Sequence, residues 1–243
     1  MASVTYELSD RIATIRIDDG KRNALSPAVL HELYAAFERA EADRAAVILT
    51  GRESVLSAGF DLKVMKSGGV NALRMLGLGY SLTARILGFP YPVVVACNGH
   101  VLAMGVFLIL SADYIVATRG DFKVSANEVA IGLTMPRVAA MMLRNRLTPA
   151  AWQRAVTLSE YFNVEAAREA GFFDELVDGA ELMSRARERA QQFLKLDSRA
   201  HRASKRRIRG ALIRRIRWSV PLDLFDAMMM GLRGARPKPA QPG

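Results

Sequence analysis

The sequence predicts an α/β fold with an appended helical region, on three observations. Ala45-Ala46-Val47-Ile48-Leu49-Thr50-Gly51 and Pro92-Val93-Val94-Val95-Ala96-Cys97 are short apolar runs rich in β-branched residues and flanked by glycine or proline, as buried strands are. Each gives way through glycine and small residues to a helical pattern: Ser57-Ala58-Gly59 leads to Asp61-Leu62-Lys63, and Asn98-Gly99 leads, through Ala103-Met104-Gly105, to an apolar helix over 106–112. From about residue 180 the strand signals cease and charged, helix-forming residues take over. At 243 residues, a single α/β core with a helical appendage is the natural size.

Taken in order, residues 4–8 and 12–17 alternate as two strands joined at Ser9-Asp10-Arg11. Asp18 to Leu25 is a loop, closed by Ser26-Pro27, an N-cap followed by proline at the first helical position. Val29, Leu30, Leu33, Ala36, Phe37 and Ala40 then fall on one helical face. Residues 66–87 are glycine-containing and helical, with Met75, Leu76, Leu78 and Leu82 as candidates for an apolar tunnel, although such a stripe is ordinarily plain core. Residues 113–117 form another strand, and Phe122 to Leu133 follows a turn at 118–121. Helices are expected over 137–147, 149–158 and 163–170, a short strand over 173–177 and an amphipathic helix over 180–196. The proline-containing residues 233–243 read as a disordered tail.

Composition narrows the function classes. Hydrophobic residues make up 51% of the chain, yet the longest apolar run, 101–110, has only the length of a buried helix, so no membrane insertion is expected. A single cysteine excludes an internal disulfide framework, and the N-terminal residues carry neither an apolar signal core nor an arginine-rich presequence. A cytoplasmic protein is the expectation. His31, His100 and His201 have no metal-ligand spacing, so no metal is assigned, and no nucleophile elbow, P-loop or dinucleotide fingerprint is present. The net charge of +10 is concentrated at 202–217, where eight basic residues stand with no acid between them. A solvated helix face accounts for most of these arginines. The missing aromatic interleaving argues against nucleic acid as a partner.

Two strand–turn–helix units in one domain can aim two backbone N–H groups at one oxygen, because the first turn of a helix leaves its donors unpaired beside the positive end of the dipole. Either turn by itself is an ordinary connection. Together with Arg22-Asn23-Ala24-Leu25, Ala112-Asp113 and Asn127-Glu128-Val129-Ala130-Ile131-Gly132, however, the two turns resemble the crotonase superfamily, the enoyl-CoA hydratase/isomerase family, in order and spacing from about residue 4 to residue 180.

The resemblance implies a crotonase-like ββα spiral over 1–180 and a C-terminal helical trimerisation region over 181–232. It also implies a substrate that is an acyl-CoA thioester, a homotrimer or dimer of trimers, and no cofactor beyond the coenzyme A of the substrate. Phe60 and Met104 take the positions of the oxyanion-hole N–H donors, and Glu128 that of the family's second catalytic glutamate. Lys21, Arg22, Ala24, Ala58, Asp61 and Leu62 fall where the family meets coenzyme A and thioester. The apolar neighbours Val129, Ala130 and Ile131 are expected to desolvate Glu128 and raise its pKa, as suits a base that returns its proton to carbon.

One position departs from the hydratase pattern. The run Gly-Gly-Gly-x-Glu is here Ala103-Met104-Gly105-Val106-Phe107, so a phenylalanine replaces a catalytic glutamate. Hydration is helped by two carboxylates, whereas moving a double bond from C3 to C2 needs one base, and an isomerase is therefore favoured over a hydratase. A non-catalytic acyl-CoA binder is the reading from another class. His100 beside the second turn and Cys97 at the end of its strand are expected to be a satisfied core histidine and an inert small hydrophobe.

Overall fold

The computed structural model describes residues 2–232, and the tail expected at 233–243 lies outside them. Among the described residues the larger sheet holds β1 (Val4–Ser9), β2 (Ile12–Ile17), β3 (Ala46–Thr50), β5 (Val93–Cys97), β7 (Tyr114–Thr118) and β9 (Glu175–Val177), in that spatial order. Only the β1–β2 pair is antiparallel. A smaller parallel sheet holds β4 (Ser54–Ser57), β6 (Gly99–Leu102) and β8 (Val124–Ser125). The chain thus steps from the large sheet to the small one three times. It then enters α2 (Leu62–Ser67) and α3 (Gly69–Leu87), next α4 (Met104–Leu110), and last a single 3-10 turn at Val129–Ile131. This is the expected spiral.

Burial explains why β3 and β5 read as unbroken apolar runs. Val47, Leu49, Val93 and Val95 face one core, shared with Leu30, Leu33 and Phe37 of α1 (Pro27–Ala42). Ile48, Val94 and Ala96 face a second core closed by Ala186 and Ala190 of α8 (Leu182–Leu194). A parallel strand covered on both faces shows no alternation. The start of α1 follows the predicted cap, with Val29 N–H donating to Ser26 Oγ at 3.3 Å.

Several boundaries differ from expectation. β4 and β6 are four-residue strands, Ser-Val-Leu-Ser and Gly-His-Val-Leu, too short and too mixed to show a period. α4 begins at Met104 rather than 106, β9 at Glu175 rather than 173, and α8 at Leu182 after a 3-10 turn over Gly179–Glu181. No helix among the described residues is long and apolar enough to cross a membrane.

The C-terminal helix α9 (Ser198–Leu232) is pinned at two points, and the basic run is not simply a solvated face. Lys205 Nζ lies 2.7 Å from Asp113 Oδ2, and Arg209 Nη1 lies 2.9 Å from Asp113 Oδ1. Asp113 also accepts the Val93 N–H at 2.7 Å, and Arg209 donates to the carbonyls of Leu87 and Ala112. Burial pushes the Lys205 ammonium down to about 8, against the opposing charge of Asp113. Further along, Asp223 accepts the N–H groups of Arg137 and Val138 at 3.0 and 2.9 Å. It thereby caps α5 (Arg137–Arg146), whose own N-cap residue is a proline with no side-chain acceptor.

Candidate active site

The first turn is held by the loop before α1. Ala58 N–H donates to Arg22 O at 3.0 Å, Leu25 N–H to Gly59 O at 2.8 Å and Asp61 N–H to Leu25 O at 3.4 Å. These bonds straddle Phe60, which pairs with Leu25 in a parallel bridge. In such a bridge the backbone of Phe60 faces the other way, and its N–H has no acceptor among the described residues. At the second turn, Ala103 N–H donates to Ser125 O and Val106 N–H to Ala103 O. Met104 opens α4, so its N–H has no intrahelical acceptor, and among the described residues it has no other.

The two turns abut. A Cβ on Gly59, at φ +87°, would stand 2.8 Å from Ala103 Cβ and 3.2 Å from Met104 N. Ala103 itself holds φ 48°, ψ −125°, a conformation favouring glycine, in the position where the hydratase pattern has one. The side chains of both donors pack back on α3. A Cβ on Gly79 would lie 2.5 Å from two ring carbons of Phe60 and 3.4 Å from Met104 Cε. Met104 is fully buried there.

The loop carrying Lys21, Arg22 and Ala24 is built around buried Asn23. Its Nδ2 donates to the carbonyls of Ile17, Val55 and Leu56, and Ser57 Oγ donates to its carbonyl at 2.8 Å. Asp19 accepts the N–H groups of Lys21, Asn23 and Ala24. Burial pushes its carboxyl up, but these N–H groups and the Arg52 guanidinium outweigh it and hold the pKa below the usual range. The side chains of Lys21 and Arg22 are exposed. Asp61 serves the fold as the N-cap of α2, accepting from Lys63 N–H at 2.7 Å, and Leu62 is exposed at the first turn of that helix.

Glu128 follows β8, which is fixed on its other side by reciprocal backbone hydrogen bonds between Val124 and Phe162. The turn after it is pinned where Ala130 N–H donates to Ser159 Oγ. The Glu128 side chain is buried, and its Oε2, like Oδ1 of neighbouring Asn127, has no hydrogen-bond partner among the described residues. Burial raises its pKa to about 7, opposed by its own backbone N–H. The expected source of that burial is corrected: Val129 and Ala130 face solvent, and only Ile131 is buried. The 3-10 turn sends the two outward, so tertiary neighbours do the desolvating.

Tyr80, which sequence reasoning passed over, feels the Glu128 charge. Its ring meets the Phe60 ring edge-on, with centroids 5.9 Å apart, and the Glu128 and Asp223 charges add to burial in raising its hydroxyl pKa. It also lines a cavity of about 650 Å³ between α3, the 133–137 loop and α9. None of Lys21, Arg22, Ala24, Ala58, Phe60, Asp61, Leu62, Met104 and Glu128 lines that cavity. Of the four candidate tunnel residues only Leu76 does; Met75 and Leu82 are core and Leu78 is half-buried. Phe107 is 1% exposed within the main core. His100 Nδ1 accepts the Lys123 N–H, and burial pushes the Cys97 thiol up to about 12, so both are structural.

Comparison with known proteins identifies the family. Residues 7–217 match the family model described as enoyl-CoA hydratase/isomerase. A solved enoyl-CoA hydratase/isomerase family protein from Pseudomonas syringae is 40% identical at a TM-score of 0.90, over 91% of this chain and 96% of that one. A Mycobacterium tuberculosis structure, called an enoyl-CoA isomerase, is 41% identical at a TM-score of 0.88, over 91% and 97%. A Rhodobacter capsulatus protein, called a probable enoyl-CoA hydratase, is 29% identical over 234 residues, 96% of this chain and 88% of its own length. By that match over most of its length, the chain belongs to the enoyl-CoA hydratase/isomerase family.

Proposed function

We propose that the protein is an enoyl-CoA isomerase that moves a 3-enoyl double bond to C2. The observation that carries this reading is one buried carboxylate, Glu128, whose Oε2 has no hydrogen-bond partner among the described residues, with phenylalanine at 107. The thioester oxygen sits between Phe60 N–H and Met104 N–H. Glu128 takes a proton from C2, and the C2–H electrons flow into the thioester as its oxygen gains charge. Each donor then contributes about 3 kcal/mol to the enolate-like transition state. The protonated Glu128 returns its proton to C4, the electrons settle as a C2=C3 bond, and no water is consumed. A carboxyl with a pKa of about 7 suits both halves of that transfer.

Coenzyme A is part of the substrate in this reading, and no further cofactor is assigned. Lys21 and Arg22 meet its phosphates, and the backbone around Ala24, Ala58, Asp61 and Leu62 follows the chain toward the thioester. The M. tuberculosis relative carries both names, an enoyl-CoA isomerase in one solved structure and a probable enoyl-CoA hydratase in another, so its name favours neither reading. The hydratase name of the R. capsulatus relative favours a second one, hydration of a 2-enoyl-CoA. The two are separated by product mass: isomerisation leaves it unchanged and hydration adds one water. The expected result is isomerisation, abolished in Glu128→Ala with acyl-CoA binding retained. A hydrated product, or full activity in Glu128→Ala, would reject the mechanism.

We also infer a homotrimer, or a pair of trimers. Trp218, Leu222 and Phe225 lie exposed along one face of α9, an apolar stripe that an assembly would cover. Light scattering that gives a monomer mass would reject this.

A further inference from the structure

The basic run of α9 divides by face. Lys205 and Arg209 point inward onto Asp113, and Leu212 and Ile216 continue that inward side along the main core. Residues three and four apart share a side of a helix, so this pinning fixes how α9 is rotated on its axis. At 3.6 residues per turn, Arg199, Arg206, Arg207, Arg214 and Arg217 then fall on the outward side, within an arc of about 100°. All five are exposed, and none makes a hydrogen bond or an ion pair among the described residues.

Charges of one sign in a row repel one another, and no acid stands between 202 and 217 to relieve them. A face of that kind suits an anionic partner. Every outward-facing cation of this helix is an arginine, whose planar fork binds phosphate oxygens two at a time. The row is also long and straight. Arg199 to Arg217 spans about 27 Å at 1.5 Å per residue, so the guanidiniums lie along a line and do not converge on a small anion. On the adjoining side of the same stretch stands Ile208, 75% exposed. An aliphatic side chain gains nothing from the phosphates of a nucleic acid. A basic helix face with an apolar edge instead matches a bilayer surface, where the charges meet headgroups and the edge reaches the acyl boundary.

We propose that this face of α9 docks on an anionic phospholipid surface, with the arginines on lipid phosphates and Ile208 at the headgroup boundary. The helix lies along the surface, since no described helix is long and apolar enough to cross a membrane. The apolar stripe that begins at Trp218 follows the row along the helix and is left to the assembly.

The test is flotation of the full chain, in the assembly it forms, with vesicles of phosphatidylcholine alone and of phosphatidylcholine mixed with phosphatidylserine. Binding is expected to the mixed vesicles only, falling steeply as salt rises. The variant Arg206→Gln/Arg207→Gln/Arg214→Gln should bind about a hundredfold more weakly, at about fivefold for each arginine near such a surface. A control, Arg74→Gln/Arg168→Gln/Lys195→Gln, removes the same charge from exposed positions outside α9 and should bind as wild type does. No binding to the mixed vesicles, equal binding to the neutral ones or an equal loss in the control overturns the proposal. So does tighter binding to duplex DNA than to the mixed vesicles at the same salt.

Discussion

Gly59 and Met104 are locked together: a side-chain carbon on Gly59 would stand 3.2 Å from the Met104 backbone nitrogen, 3.0 Å from Leu102 O and 2.8 Å from Ala103 Cβ. The two turns that present the unpaired N–H groups are thus in contact through a residue with no side chain. Gly59→Ala adds a clash and places alanine at φ +87°. The expected loss is about a hundredfold in kcat, the scale of one misplaced donor, with about 2 kcal/mol of stability. Steady-state kinetics beside thermal unfolding measures both, and an intact kcat would detach the turns from the chemistry.

Ala103 offers the converse experiment. It holds φ 48° without being a glycine. Ala103→Gly should relieve backbone strain and stabilise the protein by about 1 kcal/mol net of the added chain entropy. A raised denaturant midpoint at unchanged slope is the expected reading.

Glu128 links folding to pH. Its pKa is raised from an ordinary 4.5 to about 7, so between those values the folded state binds more protons than the unfolded state. Stability therefore falls as pH rises through that window; the penalty is absent below it and complete above it, at about 3 kcal/mol. Glu128→Gln should be the more stable protein at about pH 8, with the advantage gone near pH 4.5. Urea unfolding across that range measures it, and a constant difference would mean the carboxyl is not desolvated.

Asp113 holds α9 to the sheet through Lys205, whose side chain is 4% exposed. Asp113→Ala leaves a buried ammonium without its counter-charge and should cost about 3–5 kcal/mol, only part of it recovered when Lys205→Met is added, because Arg209 and the Val93 N–H also lose their partner. A double-mutant cycle on unfolding free energies gives the coupling.

The spiral was legible in the sequence where strands and helices carried strong patterns: the apolar runs of β3 and β5, the Ser26-Pro27 start of α1 and the glycine turns. β4 and β6 were not, because four residues containing serine, glycine and histidine show no period. At the site, the sequence pointed to Glu128 and to Val129, Ala130 and Ile131 as its desolvating neighbours, but a 3-10 turn turns Val129 and Ala130 to solvent and only Ile131 is buried. Tyr80 sits in a helical stripe of apolar residues, where nothing local separates a tyrosine that lines a cavity from one that fills core. Lys205 and Arg209 were hidden in a uniformly basic run for the same reason. Their partner, Asp113, is about ninety residues away in the chain.

The central claim is that one carboxylate carries a proton from C2 to C4. A 3-enoyl-CoA deuterated at C2, turned over in ordinary water and analysed for label position, tests it directly. The account predicts a 2-enoyl-CoA product with deuterium carried to C4, because Glu128 is buried. A product bearing a hydroxyl at C3, or a 2-enoyl-CoA with no label at C4, would contradict it.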